Sequence, residues 1–522
     1  MKTSVPSMLA LLCCWALSAC TAPGVTGING NAGMPVAPVS GKPAAVETFK
    51  FINHLSWGAN TAAVASVDGA GLDQYLRQQL HPSPARLAPA VQAQIDVMTI
   101  SQRPVLALEQ EMAQRRKDAA ALANDDEKKV ALQAWQQEMN RLGREAATRH
   151  ILRALYSPNQ IQEQMTWFWM NHFNVHQYKA NLRATIGDYE DAAVRPRALG
   201  KFRDLLGAVA HHPAMLVYLD NVQNAAGRIN ENYARELMEL HTLGVNAGYS
   251  QRDVQELARI LTGVGISYGA NEPRLRPELQ PYYVRQGVFM FNPARHDFGA
   301  KEFLGQPIRG RGLAEFDEAL DRLASAPATA RFISRKLAVY WLADDPPAAL
   351  VERMAQTFLS SDGDIAVTLQ SLLNSQEFAQ AAGRKFKDPV RYVISSVRLA
   401  YNDKVILNVG PILNWLNRMG EPLYGRQTPD GYPLVDSAWA SSGQMATRFE
   451  IAKAIGSGSA GLFKTDEPQP RERPAFPQLA SALYEQAISQ TLSPATLHAL
   501  DQAASPQEWN TLLLSSPEWM NR

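Results

Sequence analysis

Cysteine is close to absent from this chain. Its three copies, Cys13, Cys14 and Cys20, all fall within the first twenty residues. No disulfide framework can therefore brace a folded body, and stability has to come from a packed core. An excess of charge of either sign is also lacking. The 51 basic and 50 acidic residues leave a formal net charge of +1, which excludes a general affinity for nucleic acid or for anionic membrane surfaces. Several chemistries lack their sequence marks: there is no GxxxxGK[ST] phosphate loop, no GxSxG elbow, no CxxCH haem attachment and no HExxH pair. What the chain does have is 46% hydrophobic residues over 522 positions, enough for a large buried core.

The opening MKTSVPSMLALLCCWALSAC carries a lysine, an apolar run from Met8 to Leu17 and then small residues. That pattern marks residues 1–19 as a bacterial export signal, too short to persist as a spanning helix. Leu17-Ser18-Ala19-Cys20 resembles the lipobox of bacterial lipoproteins. The resemblance implies that Cys20 is acylated and becomes the mature N-terminus, with attachment to a membrane through that lipid. Thr21 stands where an aspartate would mark retention at the inner membrane, so the outer membrane is expected, facing the periplasm or the cell surface. A secreted protein with a chance cysteine at the cleavage site would read the same. Residues 20–45, rich in Gly, Pro and small residues, read as a tether.

Folded sequence is expected over 46–455, in a mainly α, multi-helix domain. Apolar positions at three- and four-residue spacing over 105–123 and 126–156, with Ala-Asn-Asp-Asp between, predict a helical hairpin. Asn230 to Leu243, closed by Gly244, and a run opened by Ser250-Gln-Arg-Asp253 predict two more helices. Others are expected at 330–342, 348–360, 364–379 and 388–401. Alternation of Tyr283, Gly287, Phe289 and Phe291 predicts a minor β-ribbon within 281–310. Residues 456–474 read as a linker, separating a C-terminal helical segment at 475–522.

WFWMNHFNVH, NENYARELMELHTLGVNAGYSQRDVQELARILTG, FMFNPARHDFGAKEFLG, FISRKLAVYWLADDPP and PDGYPLVDSAWASSGQMATRFEIA occur in that order. So arranged, and with FINHLSWGANTAAV ahead of them, the chain from about 49 to 455 resembles the bacterial DUF1800 family, large exported proteins with no assigned activity. The resemblance permits a second exported protein as partner and implies no mechanism.

Chemistry must then come from residues. Met165, Phe168, Trp169, His172 and His176 share one side of a helix that is apolar nearly all round. Histidines at i and i+4 can grip one metal ion, and two core histidines satisfied by Asn171, Asn174 or carbonyls would look identical. On the next motif helix, Glu231, Arg235 and Glu239 form a four-residue ladder of ion pairs. Glu236 lies off it and is the carboxylate free for a site. His241 sits in the last turn, where a cation also suits the helix dipole. Asp253 reads as a capping acid and Glu256 with Arg259 as a surface pair. His296-Asp297, in a turn after the ribbon, offers a ligand and a general base, or a plain Asx-turn. Convergence of His172, His176, Glu236 and His296 would suit a divalent metal, zinc or non-haem iron, with Glu236 or Asp297 as base for a bound water.

Two functions are compatible with these residues: an exported metal-dependent, hydrolase-like enzyme, or a lipid-anchored scaffold using the charged hairpin at 105–156. Elemental analysis of the protein beside a His172→Ala, His176→Ala double variant separates them. Stoichiometric metal that the variant loses marks the enzyme; no metal in either, with stability lost in the variant, marks the scaffold.

Overall fold

The predicted hairpin is present as two helices, Val105–Ala121 and Asp125–Tyr156. The Asn124 side chain accepts from the amides of Asp126 and Glu127, and Asp125, Asp126 and Glu127 place negative charge on the first turn, where the helix dipole favours it. Between the two helices lies a small core of Leu108, Met112, Trp135, Met139 and Leu142 that extends to Ala184. The Trp135 indole donates to the Met112 carbonyl at 3.1 Å. This computed structural model describes residues 44–84, 86–269, 272–402, 404–465 and 476–522. The expected signal, the lipidation site at Cys20 and the tether up to Pro43 lie outside the described residues, as do 466–474 of the expected linker.

The body is mainly α, as expected, with small sheets on one stretch of chain. Val264–Ile266, Val284–Gln286 and Phe289–Phe291 make an antiparallel sheet with Phe289–Phe291 in the middle. Gly287, at φ 60°, opens the two-residue turn between the second and third strands. Glu302–Phe303 and Gln306–Pro307 form a second pair. The strand at 264–266 lies outside the ribbon expected at 281–310. The Ser250 and Asp253 capping box is formed, and the helix it opens runs Gln251–Ile260. The run expected at 364–379 is broken into Ile365–Leu373 and Gln376–Ala381 because Ser375 caps the second piece, accepting from the Phe378 amide.

At the centre stands Gln160–His172, with every residue except Gln162 buried. Its polar residues tie it to distant segments, as buried polar groups require. Gln160 accepts from the Trp57 amide at 3.1 Å, Gln164 donates to the Leu55 carbonyl at 3.0 Å, and Glu163 pairs with Arg195 at 2.5 Å.

The C-terminal segment is not set apart. Leu513, Leu514, Trp519 and Met520 belong to the main core. The Asn510 amide donates to the carbonyls of Gly456 and Pro477, and the Trp519 indole donates to Ser396 at 3.0 Å. Apolar side chains bury wherever a complementary face exists, and here the Ser442–Gly456 and Pro389–Ala400 helices supply it.

One buried acid sits on the seam between the hairpin and the body. Glu109 is fully buried, receives the Thr185 hydroxyl, and has Tyr268 and Asn181 beside it. Burial outweighs these hydrogen bonds and pushes its carboxyl up to about 7. An unfolded chain ionises this group near 4.5, so ionisation favours unfolding, and stability falls as pH rises from about 4.5 to about 7. Glu109→Gln is expected to stabilise the protein by about 3 kcal/mol at pH 8 and by under about 1 kcal/mol at pH 5, measured by urea unfolding at the two pH values.

Candidate functional site

The helix that begins at Gln160 stops at His172, and residues 174–176 leave it. His172 and His176 therefore do not share a helix face. Tertiary hydrogen bonds replace the missing turn. Asn171 pairs with both backbone groups of Tyr432, accepting at 2.6 Å and donating at 3.0 Å. Asn174 donates to the carbonyls of Arg426 and Thr428 at 3.0 and 2.8 Å, and Gln177 donates to Leu423 at 3.0 Å. The Gln177 amide pairs with the Tyr424 carbonyl, and Tyr189 donates its hydroxyl to the Phe173 carbonyl at the helix end. The asparagines expected to satisfy the histidines grip the 423–432 loop instead.

That loop is held in an unusual backbone. Tyr424 sits at φ 58°, which costs a non-glycine residue about 1–2 kcal/mol. Its hydroxyl is fixed by Glu190 at 2.6 Å, and the same carboxylate meets His150 at 3.0 Å. Burial alone would raise the Glu190 carboxyl, but His150, Tyr424 and Arg149 hold it at about 2. Gly431, at φ 78°, packs so closely that a Cβ there would stand 2.2 Å from the Asn171 carbonyl oxygen. The next residue back, Asp430, is thereby presented beside the end of the central helix.

His172 is buried and uses both ring nitrogens. Nε2 donates to the His241 carbonyl at 3.0 Å, which leaves Nδ1 as an acceptor, and Lys336 Nζ donates to it at 2.9 Å. Phe173, Phe332 and Trp169 surround the imidazole. Burial, then the charge of Lys336, then His241 push its basicity far down, so it is neutral. His241 is fully buried beside it, with no hydrogen-bond partner among the described residues for either ring nitrogen, and is lowered to about 3 by burial and then by Lys336. Lys336, half-buried on the Pro327–Trp341 helix, is lowered to about 8 by burial, with Asp430 pulling the other way. A lysine in this state supplies a neutral amine near neutral pH.

Asp430 is the acid whose charge reaches both Lys336 and Glu236. Glu236 is half-buried on the Asn232–Glu239 helix, and burial followed by the charge of Glu239 raises its carboxyl; Arg235 opposes this, and Asp430 adds to it. Asp430 is held low because Thr428 and Arg426 outweigh its burial. Lys179 pairs with Asp220 at 2.8 Å, and the Tyr218 hydroxyl donates to the Gln427 carbonyl at 2.8 Å. The expected Glu231–Arg235–Glu239 ladder is formed, which leaves Glu236 off it, as anticipated.

The remaining expected ligands and base are placed differently. His176 lies beside Tyr178 and the Gly425–Arg426 backbone. His296 is buried in another cluster, with Nδ1 bonded to the Thr262 carbonyl at 2.7 Å and Nε2 at 3.3 Å from Glu315, which also pairs with Lys301. Asp297 is paired with Arg259 at 2.8 Å and accepts from the Gly299 amide, the Asx-turn alternative. The Arg259 hydrogen bond holds its carboxyl at about 2, so it is a poor base. These groups staple the 293–303 loop onto its neighbouring helices. Among the described residues no three His, Cys, Asp or Glu side chains are grouped to hold a metal ion. The set His172, His176, Glu236 and His296 does not come together.

Lys336 and Asp430 escaped the reading of motifs. Lys336 had a visible signal: Phe332 and Tyr340 flank it at four-residue steps, so a charge interrupts an aromatic stripe. Asp430 had none, since its place depends on Gly431 meeting a helix end 260 residues earlier in the chain. Gly431→Ala and Gly420→Ala provide the matching test, because both glycines have φ near 78° and a Cβ at Gly420 meets nothing within 4 Å. Gly420→Ala is expected to cost about 1–2 kcal/mol, and Gly431→Ala about 2 kcal/mol more from its contact with Asn171, measured by urea unfolding.

Comparison with curated proteins and with solved structures finds no match. The family model described as "Protein of unknown function (DUF1800)" matches residues 50–521. The match runs past the expected boundary at 455 and takes in the C-terminal segment that shares the core. The Lys336 site draws its parts from four of the five stretches that carried the resemblance, and the chain belongs to the DUF1800 family.

Proposed function

We propose that this chain is an enzyme of the bacterial envelope, tethered to a membrane by a lipid on Cys20, whose working group is the Lys336 amine. One observation carries the reading: a half-buried lysine donates to a neutral histidine whose tautomer is pinned by a main-chain carbonyl. Lysines that serve only solubility stay in water, and buried ones that serve only stability are ordinarily matched by a carboxylate. Lys336 is matched by an imidazole that cannot carry its charge. In this reading His172 orients the amine, Glu236 supplies or accepts a proton, and Asp430, whose charge reaches both Lys336 and Glu236, tunes the site. The reaction is hydrolytic or group-transferring, on envelope or extracellular material. A zinc or iron centre finds little support, because His172 spends both nitrogens within the protein and His296 is tied to Glu315 and Thr262.

The scaffold alternative is supported by the outer turns of the Asp125–Tyr156 helix, where charge surrounds an exposed Val130, a face on which an exported partner could sit. It assigns no role to Lys336. Competitive acylation with acetic anhydride between pH 6 and 11, read by mass spectrometry, separates the two. An enzyme of this kind should show a Lys336 midpoint near 8, read beside exposed Lys117 and Lys129 as internal comparators. A Lys336 midpoint equal to theirs defeats the proposal. For the anchor, Cys20→Ser is expected to move the protein from the detergent phase to the aqueous phase in a Triton X-114 partition; unchanged partitioning rules the lipid out.

A further inference from the structure

We infer that the substrates of this site are carbonyl compounds, and that Lys336 holds an aldehyde or ketone carbon as an imine. The inference rests on the reading of Lys336 as the working group and goes beyond it by fixing the bond formed. Three features of the geometry point there. First, Lys336 makes no hydrogen bond to a hydroxyl among the described residues and none of their carboxylates stands within ion-pairing distance, so it has no nucleophile to activate and no counter-ion to hold it charged. It is left to act as a nucleophile itself. Second, the Nδ1 of His172 can only accept, since Nε2–H is committed to the His241 carbonyl. A neutral amine that donates one N–H to Nδ1 turns its lone pair away from the ring. Third, Glu236 feels the charge of Asp430 as Lys336 does, and burial, then Glu239, raise its carboxyl, the direction that suits a proton donor.

The chemistry balances without an oxidant or reductant. The Lys336 lone pair forms a bond to the carbonyl carbon, and the C=O π pair moves to oxygen, which takes the Glu236 proton. The nitrogen then gives up a proton to the Glu236 carboxylate. The carbinolamine oxygen takes that proton back and leaves as water while the nitrogen lone pair closes the C=N bond. The products are a protonated imine and one water, and Glu236 ends as a carboxylate. The aromatic side chains around His172 limit the return of water to that bond.

The test treats the full-length protein at pH 7 with glycolaldehyde or with pyruvate in the presence of sodium cyanoborohydride, followed by peptide mass spectrometry. Reduction fixes any imine as a secondary amine at the lysine that formed it. At pH 7 an amine titrating near 8 is neutral on the order of a hundred-fold more often than one at about 10.4. Labelling of Lys336 at least about ten-fold faster than of Lys117 and Lys129 is therefore expected, with loss of that adduct in Lys336→Arg and unchanged far-ultraviolet circular dichroism. Labelling at equal rates, or none at Lys336 with either probe, overturns the inference. If Lys336 nonetheless acylates with a midpoint near 8, the imine falls and the working amine stands. If it acylates like Lys117, both fall.

Discussion

The exchange of helical hydrogen bonds for side-chain ones at the end of the Gln160–His172 helix governs the rest of the site. One more helical turn would have satisfied the backbone locally and carried Asn174 and Gln177 away from the 423–432 loop. Instead Asn171, Asn174 and Gln177 bind that loop at five carbonyl and amide groups. The loop in turn carries Arg426, Thr428 and Asp430, and the shortened helix leaves His172 as its last residue. An imidazole at that point can reach the His241 carbonyl and Lys336 together. Histidine basicity, lysine basicity and the position of Asp430 all follow from where one helix stops.

Electrostatics extend the same economy behind the site. Tyr340 lies one helical turn from Lys336, and its ring carries two buried cations, Arg391 at 4.9 Å and Arg522 at 5.3 Å. Arg391 also faces Trp57 and Trp341, while Lys387 stands 3.9 Å over Trp519 and Arg448 lies over Phe386 and Tyr392. Ring faces offset part of the cost of taking these charges out of water. The half-buried acids Asp388, Asp344 and Asp436 add counter-charge nearby, whereas burial and then Asp388 raise the Glu421 carboxyl well above its ordinary value. Lys336 differs from these cations in having an imidazole nitrogen as its hydrogen-bond partner.

The fold was largely legible because its signals are local. Periodicity and caps placed the 105–156 hairpin, the Ser250–Asp253 capping box and most later helices within a few residues. The site was legible in one half. The polarity of MNHFNVHQ within an apolar stretch marked the segment that carries the candidate site, and Glu236 separated from its ladder by angle alone. The other half rests on contacts between residues far apart in sequence. His172 meets Lys336 across 164 positions, and no local pattern reports which charge stands opposite which ring. The His296-Asp297 pair misled for the same reason, since Glu315 and Arg259, which neutralise it, lie on other helices. The separate C-terminal piece failed because a Gly- and Ser-rich stretch resembles a linker whether or not the chain beyond it returns to the core.

The bond between Asn171 and Tyr432 joins residues 261 positions apart. Contacts of such long reach close late in folding, because the loop entropy must be met before the contact repays it. Until then Lys336 is solvated, protonated and chemically quiet, like any other lysine of a nascent chain. Its lowered basicity belongs to the finished tertiary structure and is lost wherever unfolding returns the side chain to water.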